Sequence, residues 1–221
     1  MRSLVVDAGN TRVKAGIFAN GRLILRASSS YDLLPSLGRY LSDVGYDGAI
    51  VISVAYELND YILRHIRGGI LLVPERLSIP TRYSLKTLGA DRLASAYPFV
   101  ARGESAIVVV CGSAVTVNVV KDGVFHGGPI FPSFDRLRRA YLSLSMMGRR
   151  LHPDSLNAIE SGIRYAILGG VREVMRDVER RYGIRRKYLT GGCAHRMKVG
   201  GKIVPDLILL GGRMILEDLI Q

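Results

Sequence analysis

The chain has 221 residues, 48% hydrophobic and 23% charged, enough for one large domain or two small lobes around a sizeable core. Its net charge is +12, but Trp is absent and Phe numbers five, so a base-stacking platform is poorly supplied and a nucleic-acid partner is not expected. The longest apolar run, Ala106 to Cys111, is too short to cross a bilayer, and "MRSLVVDAG" lacks the features of a signal peptide, so the expectation is a cytoplasmic protein without membrane contact.

Residues 2–27 read as three strands: "RSLVVDAG" ending at a glycine, "TRVKAGIF", and "RLILRAS" after the hairpin signal Asn20-Gly21. Leu33, Leu34, Leu37, Tyr40, Leu41 and Val44 recur at helical spacing. "GAIVISVA" predicts a strand, "ELNDYILRHIR" a helix with His65 at the core boundary, and "GILLVP" a strand. "TRYSLKTLGADRLASAYPFVARG" is a loop feeding a helix that starts near Asp91. Strands follow from Ala106 to about Phe125, then a helix over "FDRLRRAYLSLSMM". A long helix spans "SLNAIESGIRYAILGGVREVMRDVERRYG", whose Gly162, Gly169 and Gly170 imply close packing or ligand approach. "RKYLTGG" is a strand ending in a glycine pair, and "KIVPDLILLGGRMILEDLI" closes with a strand or loop and a short helix.

This order contains a duplication. "LVVDAGNTRVKAGIFANG" at 4–21 is answered by "IVVVCGSAVTVNVVKDG" at 107–123: Gly9 by Gly112, Asn10 by Ser113, Asn20-Gly21 by Asp122-Gly123, and Asp7 by Val110. The expected architecture is therefore α/β, two similar lobes at 1–102 and 103–221, each a mixed sheet flanked by helices.

A strand ending in Asp-x-Gly and turning into another strand points backbone N–H groups outward at its tip, where an anion can approach. "DAGNTRVK" adds a carboxylate, a hydroxyl on Thr11 and a cation on Lys14, while "GSA" repeats the backbone geometry. Two such loops facing each other would hold a polyphosphate. Neither is GxxxxGK[ST] or GxGxxG, and no GxSxG is present. Cys111 and Cys193 form no CxxC pair; a disulfide framework and a zinc site are not expected, and both read as buried thiols.

Taken in order, "DAGNTRVK", "GADR" at 89–92, "GSAVT" at 112–116, "GGPIFP" at 127–132, "SGIRYAILGG" and "TGG" at 190–192 resemble the type III pantothenate kinase family over nearly the whole chain. The resemblance implies the two-lobed, ribonuclease H-like (actin-like ATPase) fold shared with acetate and sugar kinases. It also implies ATP-dependent phosphorylation of pantothenate in coenzyme A synthesis, Mg²⁺, a monovalent cation (K⁺ or NH₄⁺) and a homodimer. By this resemblance Asp7, Gly9, Asn10, Thr11, Lys14, Gly112, Ser113, Ala114, Gly191 and Gly192 surround ATP, with Asp7 at the metal. Asp91 matches the general base, and Tyr83, Gly89, Ala90, Arg92 and Ser155 fall beside Asp91 on the substrate side.

Four positions depart from the family pattern. Val110 and Asn118 stand where the family has Asp, Cys193 replaces an acidic residue, and Ser133 replaces a glycine. The first three remove negative charge near the nucleotide, which keeps open a binding-only regulator or another small-molecule kinase as alternatives.

Overall fold

The computed structural model describes residues 1–145 and 152–220. The N-terminal strands β1 (Arg2–Ala8), β2 (Val13–Ala19) and β3 (Arg22–Ser29) form an antiparallel meander. Helix α1 (Leu34–Val44) leads to β4 (Gly48–Ser53), and α2 (Asn59–His65) leads to β5 (Gly69–Leu71). Both strands run parallel to β1, giving the order β3-β2-β1-β4-β5. After α3 (Ala90–Val100) the pattern repeats with β6 (Ala106–Cys111), β7 (Ala114–Lys121) and β8 (Val124–Gly127). The short strand β9 (Ile130–Pro132) pairs with β7 and precedes α4 (Phe134–Ser145) and α5 (Pro153–Tyr182). Strands β10 (Lys187–Thr190) and β11 (Lys202–Ile203) extend the second sheet in the order β11-β10-β6-β7-β8, and α6 (Leu207–Ile220) follows. Met146 and Met147, expected to prolong α4, lie outside the described residues.

The two sheets share one topology, so the sequence duplication is a structural one. Both hairpins turn through left-handed backbone at matching residues: φ is 49° and 76° at Asn20-Gly21, and 48° and 75° at Asp122-Gly123. The copies differ by one residue. Asp7 lies opposite Lys14, whereas Val110 lies opposite Thr116, so the second loop is shorter and brings neither charge of the first.

Three apolar clusters stack the layers. Leu34, Leu37, Leu41, Ile62 and Ile66 of the α1–α2 layer cover one face of the first sheet. His65 sits half-buried at that boundary, its ring against Tyr61. Ile163, Ile167, Val171 and Met175 of α5 cover the outer face of the second sheet. Between the sheets lie α3 and α6 with Val5, Ile50, Ile52, Val108, Val110 and Val120. A helix wedged between two sheets needs apolar or small side chains all round, and every α3 residue except Asp91 is buried. Pro98 inside α3 donates no N–H, which leaves the Ala94 carbonyl without its usual helical partner. The backbone of α6 fills that side: a Cβ on Gly211 would stand 1.7 Å from the Ala94 oxygen. The close packing expected of the α5 glycines holds at Gly170, which faces the Phe131 ring; Gly162 and Gly169 have nothing within 4 Å of a would-be Cβ.

Candidate active site

The ends of β1 and β6 point into the space between the sheets, and their loops meet there. Gly9 N–H donates to the Arg12 carbonyl at 3.1 Å, and Gly112 N–H to the Ala114 carbonyl at 2.9 Å, so each loop is a tight reversal. The tips touch: Asn10 Nδ2 donates to Ser113 Oγ at 2.7 Å. These residues answer each other in the duplication, so the two copies face each other tip to tip. A cavity of about 590 Å³ lies against them, lined by Asp7, Gly9, Asn10, Thr11, Lys14, Asp91, Gly112, Ser113, Gly191 and Gly192 among others. An adjoining cavity of about 390 Å³ shares Asp7, Lys14, Gly191, Gly192, His195 and Ile208 with it, and adds Ala27, Ile203, Pro205 and Leu209. The larger cavity forms a polar end, and the adjoining one sets an apolar wall beside Ser28 and the Arg26–Asp206 ion pair.

Two carboxylates face the polar end. Asp7 is the penultimate residue of the buried strand β1, and desolvation pushes its pKa up to about 6; Lys14 opposes the shift and Asp91 adds to it. Asp91 opens α3, where its Oδ1 accepts the Arg92 backbone N–H at 2.8 Å. Burial raises its pKa, and that hydrogen bond and the Arg92 charge hold the rise back. Among the described residues, no group of three or more His, Cys, Asp or Glu side chains is placed to hold a metal ion.

Arg92 turns away from this mouth. It is buried, with Nε donating to Asn118 Oδ1 at 2.7 Å, an Nη donating to the Gly128 carbonyl at 2.9 Å, and the guanidinium 5.3 Å from the Tyr83 ring centroid. Asn118 therefore serves as the neutral acceptor for a buried cation. Tyr83, Gly89, Ala90 and Arg92 form the wall behind Asp91 and, with Ala114, line neither cavity; Ser155 is exposed near the start of α5 and lines neither as well.

The two cysteines are not separate thiols. Cys111 and Cys193 form a disulfide, their Cα atoms 5.3 Å apart. Their separation of 82 positions hides the pairing in sequence, but β6 and β10 are parallel neighbours that end side by side. Sequence reasoning also passed over Arg12, His195, Arg136 and Arg196, which line the larger cavity. Their positions carried a signal: Arg12 lies inside "DAGNTRVK", Arg136 closely follows "GGPIFP", and His195 and Arg196 follow "TGG".

The family model for type III pantothenate kinase matches residues 3–177. The chain belongs to that family. A type III pantothenate kinase from Akkermansia muciniphila is 30% identical over 248 residues, covering 97% of this chain and 98% of its own. Among solved structures, a conserved protein of the Baf family of transcriptional activators from Campylobacter jejuni superposes with a TM-score of 0.66 at 20% identity, over 98% of each chain. The activator of the 2-hydroxyisocaproyl-CoA dehydratase from Clostridium difficile, solved with bound ADPNP, gives 0.56 at 15% identity over 99% of this chain and 95% of that one. These likenesses establish the two-lobed, actin-like ATPase fold that the family resemblance implies. No helix among the described residues is long and apolar enough to cross a membrane.

Proposed function

We propose that this family member transfers the terminal phosphoryl group of ATP to the hydroxyl of pantothenate, giving 4'-phosphopantothenate at the start of coenzyme A synthesis. The observation that carries the reading is the pair of facing loops, Asn10 against Ser113, beside two carboxylates, Asp7 and Asp91, whose pKa values burial raises. Backbone N–H groups of Asn10, Thr11 and Ser113 at the loop tips and of Gly191-Gly192 cradle the phosphates, and Lys14 supplies a cation. The wall of Ile203, Pro205, Ile208 and Leu209 suits a nucleobase, with the Arg26–Asp206 ion pair and Ser28 beside it. Asp91 accepts the proton of the attacking hydroxyl. Its raised pKa strengthens it as a base, and its place at the start of α3 fixes the carboxylate by one backbone N–H.

The residues present fit Mg²⁺ bound mostly through substrate phosphates, because such an ion needs only one or two protein carboxylates and Asp7 is available. When bound, Mg²⁺ neutralises phosphate charge. They do not fit a monovalent cation held by carboxylates of the second sheet, since the Val110 side chain offers no oxygen and Asn118 Oδ1 accepts from Arg92. Phosphate charge in this chain is met by Lys14, Arg12, Arg136 and the loop N–H groups. Residues 1–102 and 103–221 serve as the two lobes about the nucleotide. A homodimer joined along α5 would use the face of Gly162, Tyr165 and Gly169, where Tyr165 is 76% exposed.

The test is formation of phosphopantothenate by the purified protein with ATP and Mg²⁺. Asp91→Asn should lower the rate by roughly 10²–10⁴-fold and leave nucleotide affinity in place. Unchanged turnover in that variant, or nucleotide binding with no transfer in the parent protein, would sink the reading.

A further inference from the structure

Strands β6 and β10 pair in parallel until Thr190 stands opposite Val110. Past that point each chain opens into a loop of the cavity, Gly112–Ala114 from one and Gly191–Cys193 from the other. Two links hold the loops together beyond the sheet: Cys193 N–H donates to the Cys111 carbonyl at 3.2 Å, and the Cys111–Cys193 disulfide closes the pair. Gly191 sits so close that a Cβ would lie 2.2 Å from the Cys111 oxygen, and its φ is +94°. Both cysteines line the larger cavity, Cys111 fully buried and Cys193 partly exposed. The side chain of Val110, next to Cys111, has no polar atom with which to bind these loops to each other.

We propose that the Cys111–Cys193 disulfide is a positioning cross-link that holds two phosphate-binding loops in register, so that its reduction weakens nucleotide binding. The inference rests on the kinase reading of the same cavity. Phosphates are gripped well only when the N–H groups of both loops are aimed together; a loop freed of its tether must be ordered again at each binding event. Cys193, the partly exposed partner, gives a dithiol its point of attack. One thiolate of the dithiol bonds to Cys193 Sγ and releases Cys111 as a thiolate, which takes up a proton. The second thiolate then displaces Cys193 and leaves the dithiol as its own disulfide, so two electrons and two protons pass to the protein. A disulfide of low molecular weight, by accepting the same two electrons, rebuilds the bond. Bound nucleotide covers this site, so it slows the reduction just as the bond favours the nucleotide.

The experiment compares full-length protein kept oxidised with protein treated with dithiothreitol and freed of it. Thiol titration after denaturation should find none in the first and two in the second. Calorimetric affinity for a non-hydrolysable ATP analogue should fall roughly tenfold on reduction, and the KM for ATP should rise with it, while the KM for pantothenate stays put. Cys193→Ala should bind as weakly as the reduced protein and ignore dithiothreitol. If the bridge only stabilised the fold, its reduction would lower Tm and leave the ATP KM unmoved. That result, or two titratable thiols in the oxidised protein, overturns the positioning role and leaves the kinase reading standing. Redox-dependent nucleotide binding without transfer to pantothenate upholds the cross-link and removes the kinase reading. Failure of both states to bind nucleotide overturns both.

Discussion

Asp7→Asn should make the protein more stable at neutral pH while stopping catalysis. Asp7 is 9% exposed, and its folded pKa is raised from 3.8 to about 6. A raised carboxylate pKa means that the folded state holds its proton where the unfolded chain has lost it. Stability is therefore highest below the unfolded value, falls as pH climbs from about 4 to about 6, and then levels off. A shift of about 2 units is worth ~3 kcal/mol against the native state at pH 7.5. Asn has nearly the same shape and no charge to desolvate. Urea denaturation of both proteins, without nucleotide or divalent ions, should show the variant ahead by up to ~3 kcal/mol at pH 7.5 and level with the parent at pH 4. In a chain of this size that is a rise of roughly 6–12 °C in Tm. A variant no more stable at pH 7.5, or a gap that ignores pH, would refute the claim that a strained charge sits at Asp7. On the proposed reading, the same substitution should abolish transfer, since it removes a carboxylate at the phosphate end of the cavity.

Two further outcomes probe the rest of the site and its frame. Val110→Asp places a carboxylate at a position 4% exposed, on the wall shared with Asp7 and Asp91; it should lower stability by a few kcal/mol and make the transfer rate respond to K⁺ or NH₄⁺, and a rate indifferent to those ions would show that the second loop is built around Val. Gly211→Ala drives a methyl into the Ala94 carbonyl and should cost roughly 1–3 kcal/mol by urea titration despite the better helix propensity, and a stability gain would mean that α3 and α6 can move apart freely.

The duplication was legible because it is written in turn chemistry. Asn20-Gly21 and Asp122-Gly123 must enter left-handed backbone, and the glycines that end β1 and β6 recur at almost the same spacing. Even the shorter second loop was encoded: Gly9 and Gly112 are 103 apart, but Asn20 and Asp122 are 102 apart. The facing of the two loops followed from that symmetry. The disulfide did not, since nothing local marks Cys111 and Cys193 as neighbours; only the parallel pairing of β6 with β10 brings them together. Arg92 was placed beside the substrate, but its guanidinium points at Asn118, a partner 26 residues away on another strand. A buried cation chooses its acceptors in three dimensions, and spacing along the chain is silent about that. The position of α6 was equally hidden, for an apolar helix with a glycine pair can lie on either sheet.

Helix α6 also sets the order of events when the protein is made. Val5, Ile50 and Ile52 belong to the first strands to leave the ribosome, but the inner face they form is covered by α3 and by α6, which begins at Leu207. That face stays uncovered on one side while the whole second sheet is synthesised. The first half therefore cannot complete its core early, as an independent N-terminal unit would. The nascent chain carries an open apolar surface until α6 emerges and Gly211 docks on Ala94, and that interval is when chaperones or stray partners have access to it.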